Sequence, residues 1–460
     1  MVSERRAMAD LKLDGVELHI GFDDVDSPRG GCTTDLVSEI AINWSKRGVK
    51  FIDYPNLVRL NPAIPWKTRG NGALSLRVLV ESYELAKEMC SEAISITEGY
   101  VAEFTHPKRS PHVVCFIGQI PRELEAIGEK AVKDVVLVDE ALSIVERHSS
   151  KIIVWSSNSN RRGLIGALAA VGNKLAKDHT YELIAYRSRN YWGMPRLIDP
   201  VSVFKMDEET KGLTFLNVDK EANRILIAPH GSDPILFGIR GEEPSALIKA
   251  LSIVKTGEPI VKWIIFRTNQ ATDEHLRRVK NLCEVYAYTG VIALGRVSRN
   301  PRIIAGGHVI LTIADECGEI DAAAYEPTGG FRNIVKELKP GDVVEVYGVV
   351  RPPSGTHGKT INLEKIRIIK LAEALKYLNP VCPKCGRRMT SSGKGKGFKC
   401  TYCRYKDPTA SKVIVIEERR VTEGWYQPPP RAFKHLMKPL ERFGREKSSW
   451  SGVMIEKWHS

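Results

Sequence analysis

The sequence contains no long apolar run. No stretch among its 460 residues approaches the ~18 consecutive apolar residues that a membrane-spanning helix needs. The first fifteen residues, MVSERRAMADLKLDG, also lack the apolar centre of a secretion signal. These absences argue against membrane and exported classes, and we expect a cytoplasmic protein without a membrane partner.

The amino-acid composition is not extreme in any respect. Hydrophobic residues make up 43% and charged residues 27% of the chain, close to the averages of globular proteins. Fibrous, collagen-like and largely disordered chains are thereby excluded. At ~150 residues per domain, the length predicts about three domains, or four if some are small.

The sequence lacks a nucleotide-binding P-loop. Gly358-Lys359-Thr360 ends like one, but the first glycine is absent at the required spacing. The surrounding pattern is also strand to strand, whereas a P-loop joins a strand to a helix. Any nucleotide site must therefore be built differently.

Acidic residues are scarce at the C-terminal end. The range 379–460 holds 18 Lys and Arg against 7 Asp and Glu, so it carries +11 of the net charge of +13. A local basic excess is typical of a polyanion partner, because bound phosphates release counterions. A solubilising tail is the alternative interpretation.

Two CxxC pairs, Cys382/Cys385 and Cys400/Cys403, lie in this basic segment. Four thiolates at this spacing are typical of a tetrahedral zinc site, which we predict to be structural because sulfur fills every position. Redox dithiols or disulfides are the alternative. Lys394 and Lys396, at the tip between the pairs, are candidate phosphate contacts. The remaining cysteines are expected mostly to be buried and unpaired.

An OB-fold β-barrel is predicted before the zinc ribbon. Alternation and turn signals give the order strand, strand, strand, helix, strand, strand, typical of small barrels that bind oligonucleotides. The predicted segments are 286–297, 308–314, 319–325, a helix over 331–338, 343–350 and 360–369.

Three carboxylates follow the first predicted strand, 16–22. Asp23, Asp24 and Asp26 crowd like charges at the end of a buried strand, where α/β folds place ligands. A hard cation such as Mg²⁺ holding phosphates would relieve their repulsion. Ordinary turn-forming aspartates are the alternative.

A glycine-rich turn precedes a predicted helix, 36–47. Gly30, Gly31, Cys32, Thr33 and Thr34 bring flexible backbone and hydroxyls to a helix N-terminus, which suits a phosphate. A plain helix cap would look the same.

A polar loop over 59–72 lies between two strands. Its prolines stiffen the backbone, and Lys67, Arg69 and Asn71 offer positive charge and hydrogen bonds to a nucleotide. A rigid surface loop is the alternative.

The motifs HIGFDDVDSPRGGCTTD and NPAIPWKTRGNGA, the segments 228–242 and 266–275, the barrel and the ribbon occur in this order. The chain thus resembles, over nearly its whole length, the archaeal 2-agmatinylcytidine synthetases that act on the minor isoleucine tRNA. The resemblance implies an ATP-dependent ligase that joins agmatine to the C2 carbonyl of the wobble cytidine in the CAU anticodon, so that the tRNA reads AUA.

The resemblance also implies residue roles. Asp23, Asp24 and Asp26 would bind Mg²⁺ and ATP in a kinase-like domain, and Thr33 would be the autophosphorylated threonine. Val25 stands where the family pattern DDTDS has threonine, which weakens a role for a hydroxyl there. For agmatine, Asp233 and Phe237 are candidates, since a carboxylate and an aromatic face suit a dication. Asp233 could equally belong to a Gly-Ser-Asp-Pro turn.

The predicted fold class is multidomain α+β. We expect an N-terminal α/β kinase-like domain over 15–150, a ferredoxin-like domain over 151–280, an OB-fold β-barrel over 281–375, a zinc ribbon over 376–410 and a basic, aromatic tail over 411–460. Barrel, ribbon and tail are expected to bind tRNA, with Arg431 and Lys434 beside stacking aromatics such as Trp425. Those aromatics could instead anchor the tail.

Two other functions stay open at this point. One is a non-catalytic single-stranded nucleic-acid-binding accessory protein, which would bind RNA without turning over ATP. The other is a related ligase or kinase with another amine or another tRNA. The long N-terminal half, with its two polar glycine-rich motifs, favours an enzyme.

Overall fold

The structure is a computed structural model that describes residues 15–28, 30–67, 70–104, 106, 108–231, 234–355, 357–373 and 375–460. Its helices are α1 (Thr33–Lys46), α2 (Tyr83–Phe104), α3 (Arg122–Lys133), α4 (Val138–Arg147), α5 (Arg162–Gly172), α6 (Pro200–Glu209), α7 (Pro244–Ile253) and α8 (Gly330–Lys336). None of the helices within these ranges is long and apolar enough to cross a membrane.

The strands of the first half are β1 (Val16–Asp23), β2 (Lys50–Phe51), β3 (Asn56–Arg59), β4 (Gly72–Val80), β5 (His112–Ile117), β6 (Ile152–Ser156), β7 (Thr180–Arg187), β8 (Thr214–Phe215), β9 (Val218–Asp219), β10 (Arg224–Ile225), β11 (Ile235–Gly241) and β12 (Ile260–Thr268). Ten of them form one sheet in the order β6-β5-β1-β4-β3-β12-β7-β11-β8, with β2 paired to β4. The parallel pair β3–β12 carries this sheet across the predicted boundary near residue 150.

Side-chain alternation divides the sheet into two buried faces. On β5, Val113, Cys115 and Ile117 pack in the core shared with α1 and α2. Val114 and Phe116 belong to the opposite core, with α3, α4 and α5. The strand therefore reads as a continuous apolar run because helices cover both of its faces.

Helix α5 lies unusually close to β1. A Cβ on Gly21 of β1 would come within 2.0 Å of the Ala167 carbonyl oxygen, so only glycine permits this packing. The close approach brings the helix against the end of β1, where the acidic motif begins.

The later strands are β13 (Leu276–Arg278), β14 (Gly290–Ile304), β15 (His308–Asp315), β16 (Gly318–Ala324), β17 (Val343–Arg351), β18 (Thr360–Lys370), β19 (Leu375–Leu378), β20 (Thr390–Ser391), β21 (Phe398–Lys399), β22 (Lys406–Asp407), β23 (Val413–Ile416) and β24 (Gly424–Tyr426). Strands β14 to β18 pair as β14-β15-β16-β18-β17, and β17 pairs back to β14. Helix α8 lies between β16 and β17 in sequence. The order is the one predicted for an OB-fold.

The first strand of this module differs from the prediction. It was expected over 286–297 but runs over Gly290–Ile304. Tyr288 has a φ of 66°, a left-handed backbone outside the β region, so the regular strand begins only after it, although Tyr288 N donates a hydrogen bond to Val350 O at 2.9 Å. The strand continues beyond residue 297 because its pairing with β15 resumes after two register shifts, one before Arg299 and one between Arg299 and Arg302.

The C-terminal tail wraps back onto the first sheet. Trp458 is buried, and its carbonyl accepts a hydrogen bond from Ile265 N at 2.9 Å. Trp450 packs near Tyr54 with ring centroids 6.5 Å apart. These two aromatics therefore anchor the tail to the first sheet. Trp425, the aromatic expected beside the RNA-contacting cations, packs against Tyr347 of the OB-fold module with ring centroids 5.2 Å apart.

The cysteine prediction needs correction. Cys90 and Cys115 form a disulfide between α2 and β5, whereas unpaired thiols were expected. Cys283 and Cys317 are exposed, and Cys32 is buried as expected. The pairing could not be read from the sequence because it depends on how α2 packs against β5.

Candidate active site

The acidic motif lies where β1 ends. Asp23 is its last residue, and the carboxylate lies against α5, where a Cβ on Gly166 would come within 2.0 Å of Asp23 Oδ2. Glycine at position 166 is therefore what makes room for this carboxylate. Asp24 follows with a φ of 59°, a backbone that aspartate and asparagine adopt more readily than most residues.

Backbone donors and one arginine surround the other two carboxylates. Asp24 Oδ2 accepts a hydrogen bond from Ser110 N at 2.7 Å, and Arg109 Nη1 lies 3.5 Å from Asp24 Oδ1. Asp26 Oδ1 accepts from Thr33 N at 3.0 Å. The last bond ties the acidic motif directly to the start of α1.

Burial raises the pKa of all three carboxyls, and the pKa of Asp23 lies well above its ordinary value. At Asp23 the charges of Asp24 and Asp26 add to the effect of burial. At Asp24 and Asp26 the hydrogen bonds from the backbone and the charge of Arg109 oppose it. Crowded, buried carboxylates of this kind are stabilised by a nearby cation.

The three carboxylates do not converge on one point. Among the described residues, the set that brings three or more ligand atoms within 4.8 Å of one another is the cysteine group of the ribbon. The carboxylates of Asp23, Asp24 and Asp26 therefore do not form a site in which one Mg²⁺ ion contacts all three directly. Mg²⁺ usually keeps several waters and uses one or two carboxylates together with substrate phosphates, which this arrangement fits.

Thr33 begins helix α1 beside the glycine turn. Gly30 and Gly31 have φ values of 112° and 75°, so the turn needs glycine at both positions. The Thr33 hydroxyl oxygen is buried and has no hydrogen-bond partner in the described part of the chain. Thr34 differs, because its hydroxyl lies 3.2 Å from Cys32 Sγ.

A network behind this turn holds α1 in place. Tyr100 Oη accepts a hydrogen bond from Cys32 N at 3.0 Å and donates one to Asp35 Oδ2 at 2.8 Å. Lys262 Nζ, from β12, lies 2.8 Å from Asp35 Oδ1. The start of α1 is therefore fixed by helix α2 and by strand β12 of the large sheet.

A first cavity, of about 480 Å³, opens on one side of the acidic motif. Asp23, Asp24, Lys67 and Asn71 line it together with an apolar wall over 135–138. Lys108, Arg109 and Arg162 add positive charge. An apolar wall beside carboxylates and cations suits a nucleotide with its base at one end and its phosphates at the other.

A second cavity, of about 620 Å³, lies on the other side. Its charged and polar lining includes Asp26, Thr33, Thr34, Arg59, Arg109, Glu182, Arg240, Arg431 and His435. Arg109 lines both cavities, and the acidic motif contributes to both. The two cavities therefore meet at the wall formed by the acidic motif and Arg109.

The residues predicted to bind ATP divide between these cavities. Lys67 and Asn71 line the first, whereas Gly31, Cys32 and Thr34 line the second. Gly30 lines neither and shapes the turn. Arg69 lies outside the described residues.

One of the two agmatine candidates, Phe237, requires a correction. Phe237 is fully buried in the hydrophobic core and lines neither cavity, so its ring offers no face to a ligand there. Alternation along β11 turns Gly238 and Arg240 toward the second cavity instead. Asp233 lies outside the described residues.

Sequence reasoning missed several charged residues of the two cavities. Arg109 is the clearest, since the basic pair Lys108-Arg109, two residues before the buried strand β5, was a usable signal. Glu182 interrupts the apolar strand β7, and its carboxylate lies 3.8 Å from the Arg59 guanidinium and 3.3 Å from that of Arg240. A charge inside a buried strand was the signal for it.

The predicted tRNA contacts lie in different surroundings. Lys394 and Lys396 are exposed at the tip of the ribbon. Arg431 lines the second cavity and forms an ion pair with Asp219 at 2.6 Å. Lys434 Nζ lies 3.4 Å from Oε1 of the buried Glu364.

The four ribbon cysteines meet as predicted. Cys382 Sγ lies 3.4 Å from Cys403 Sγ, and Cys385 Sγ lies 3.5 Å from Cys400 Sγ. A regular tetrahedron with bonds of about 2.3 Å would separate its sulfurs by about 3.8 Å. The group therefore fits a structural zinc ion.

Family models match the chain in four consecutive pieces. The TiaS TCKD domain matches residues 19–156, the TiaS FLD domain 161–275, an OB-fold nucleic acid binding domain 291–369 and the TiaS C-terminal zinc ribbon domain 379–421. Fold and site thus define a multidomain α+β protein that combines nucleic-acid-binding modules with a polar double cavity.

The comparison with curated proteins is more specific. The chain is 50% identical to the isoleucine-tRNA 2-agmatinylcytidine synthetase TiaS of Staphylothermus marinus, over 94% of this chain and 95% of that protein. It is 42% identical to the TiaS of Archaeoglobus fulgidus, over 93% and 98%. The chain belongs to the TiaS family of isoleucine-tRNA 2-agmatinylcytidine synthetases.

Solved structures of this family share the fold. A complex of TiaS with its isoleucine tRNA and ATP matches with a TM-score of 0.81 at 40% identity, covering 96% of this chain and 99% of that one. A complex of TiaS with the same tRNA, AMPCPP and agmatine matches with a TM-score of 0.79 at 37% identity, with the same coverage.

Proposed function

We propose that this protein is an ATP-dependent ligase that joins agmatine to C2 of the wobble cytidine in the CAU anticodon of the minor isoleucine tRNA. The modified tRNA then decodes AUA. The observation that carries the proposal is the pair of cavities meeting at the acidic motif. The first cavity would hold the nucleotide, and the second would hold the groups that accept its phosphoryl group.

The chemistry requires an activated carbonyl. The C2 carbonyl of cytidine is amide-like and a poor electrophile. Transfer of a phosphoryl group to its oxygen creates a leaving group, and the primary amine of agmatine then attacks C2 while phosphate departs. The chain contributes mainly positioning and electrostatic stabilisation, as is usual for phosphoryl transfer.

In this proposal ATP occupies the first cavity. The apolar wall over 135–138 contacts the base, and Lys67, Asn71 and Arg109 contact the phosphates. Asp23 and Asp24 would hold Mg²⁺, which neutralises phosphate charge when bound. Asp26 lines the second cavity and accepts the hydrogen bond from Thr33 N, which fixes the backbone at Thr33.

The second cavity receives the acceptors. Thr33, with its buried and unpartnered hydroxyl among the described residues, accepts a phosphoryl group in the autophosphorylation expected of the family. Asp26 and Glu182 supply negative charge that suits the agmatine dication. Asp233 remains a candidate from the sequence.

The tRNA is bound by the modules that follow. The closed ring of pairings among β14 to β18 supports a complete OB-fold β-barrel, and the zinc ribbon presents Lys394 and Lys396. Arg431 lines the second cavity and would contact the anticodon backbone there. Lys434 extends this basic surface.

The domains are assigned with the bounds expected from the sequence. We assign a kinase-like domain to 15–150 and a ferredoxin-like domain to 151–280, although one sheet spans both. The OB-fold barrel takes 281–375, the ribbon 376–410 and the tail 411–460.

The test follows labelled agmatine into an unmodified CAU-anticodon isoleucine transcript with ATP and Mg²⁺. The Asp24→Asn variant keeps the shape and tolerates the left-handed backbone, where alanine would add strain. We expect incorporation to fall by about 100-fold or more, because removing a group that orients transition-state charge costs this much.

The matched control is Asp199→Asn. Asp199 caps α6 and lines neither cavity, and asparagine caps helices equally well, so incorporation should match the unmodified protein. Tight tRNA binding without ATP consumption would instead favour the accessory-protein alternative. ATP consumption without incorporation would indicate another amine or tRNA.

A further inference from the structure

Two exposed cysteines lie side by side at the entrance to the OB-fold module. Cys283 is in the short turn Leu282–Glu284 before β14, and Cys317 is in the turn between β15 and β16. Cys283 Sγ lies 3.8 Å from the Cys317 carbonyl oxygen. Residues 34 positions apart in sequence are thus brought together by the fold.

One carboxylate holds the two turns together. Asp315 Oδ2 accepts a hydrogen bond from Leu282 N at 2.6 Å, and Asp315 Oδ1 accepts one from Cys317 N at 2.8 Å. The backbones that carry the two thiols are therefore fixed next to each other before any bond forms. A hydrogen bond with the Cys317 thiol raises the pKa of Cys283, so Cys283 forms a thiolate mainly at alkaline pH.

This pair has no part in the sites already described. Four cysteines belong to the ribbon, Cys90 and Cys115 form a buried disulfide, and Cys32 lines the second cavity. Accessible neighbouring thiols are the kind that exchange with small disulfides, whereas buried ones are protected.

We propose that Cys283 and Cys317 form a second, reversible disulfide by exchange with a small-molecule disulfide such as oxidised glutathione. One thiolate attacks the small disulfide and releases one small thiol. The second thiolate then attacks the mixed disulfide and releases the other. The two protein thiols are oxidised, the small disulfide is reduced, and the two protons leave on the released thiols.

The bond would close a loop that contains β14 and β15. It would join the segment entering the OB-fold module to the β15–β16 hairpin. Because such a cross-link restricts the unfolded chain, the oxidised protein should unfold at a higher temperature than the reduced protein.

The test treats the full-length folded protein with oxidised glutathione, blocks free thiols, digests without reductant and identifies linked peptides by mass spectrometry. We expect a peptide linking Cys283 to Cys317, and its removal by mild native reduction that leaves the buried Cys90–Cys115 bond intact. Stable glutathione adducts on the two cysteines, or two free thiols, would overturn the proposal.

The variants Cys283→Ser and Cys317→Ser provide the second readout. Oxidation should raise the unfolding midpoint of the unmodified protein by several degrees and leave both variants unshifted. An equal shift in either variant would mean that oxidation acts elsewhere, which would also contradict the proposal.

Discussion

At the scale of single residues, Thr33 is distinguished by what surrounds its hydroxyl. The oxygen is buried and lacks a hydrogen-bond partner among the described residues, and Thr33 is one of the residues that line the second cavity. A buried polar atom without a partner normally costs stability, so such atoms concentrate where function requires them. Its backbone is meanwhile fixed by Asp26.

Thr33→Val tests this role, because valine has the same shape and lacks the oxygen. We expect transfer of labelled γ-phosphate from ATP to the protein to disappear, with little loss of stability because no hydrogen bond within the described part of the chain is removed. Thr33→Ser keeps a hydroxyl and should restore most of the transfer. Undiminished labelling of the valine variant would place the acceptor elsewhere.

At the scale of elements, the zinc ribbon shows how little apolar core a small module contains. Its buried cluster consists of Cys382, Cys400, Met389 and Phe398. A core this small cannot offset the conformational entropy of the segment, so we predict that zinc binding supplies the difference.

Removal of zinc should therefore unfold the ribbon and leave the large sheet folded. We expect a chelator, or Cys400→Ser, to make the range 379–410 sensitive to protease. The circular dichroism spectrum of the whole protein should change little, because the large sheet stays folded. Ser411→Ala, just beyond the cysteines, is the control. A ribbon that stays resistant without bound metal would contradict the structural role of zinc.

At the scale of the whole molecule, the C-terminal tail connects distant parts of the chain. Arg442 is buried and forms ion pairs with Asp178 and Glu242, while Trp458 packs into the core of the first sheet. Part of the basic charge that was expected to contact RNA is thus paired with carboxylates inside the protein. Buried charges of this kind are retained only with partners.

Trp458→Ala should accordingly lower the free energy of unfolding by about 3–5 kcal/mol, because a buried tryptophan is removed. Val453→Ala, at an exposed site in the same tail, should change it by less than about 0.5 kcal/mol. Denaturant titration measures both. A stable Trp458→Ala variant with weakened tRNA binding would instead favour the RNA-contact interpretation.

Sequence alone indicated the local features of this protein. The zinc ligands, the OB-fold strand order and the acidic motif each depend on residues close together in the chain. Spacing and alternation report such features directly, because thiolate pairs and strand faces have fixed periods. Tyr288 shows the limit, since its left-handed backbone shifted the start of a strand that alternation alone placed earlier.

Tertiary structure decided what depends on distant segments. The single sheet across the two halves, the Cys90–Cys115 bond and the contribution of Arg109 to both cavities all follow from packing between remote elements. Phe237 lies in the hydrophobic core, and this too depends on how remote elements pack on β11. Local pattern states which face a residue occupies, but only the assembled sheet determines what that face meets.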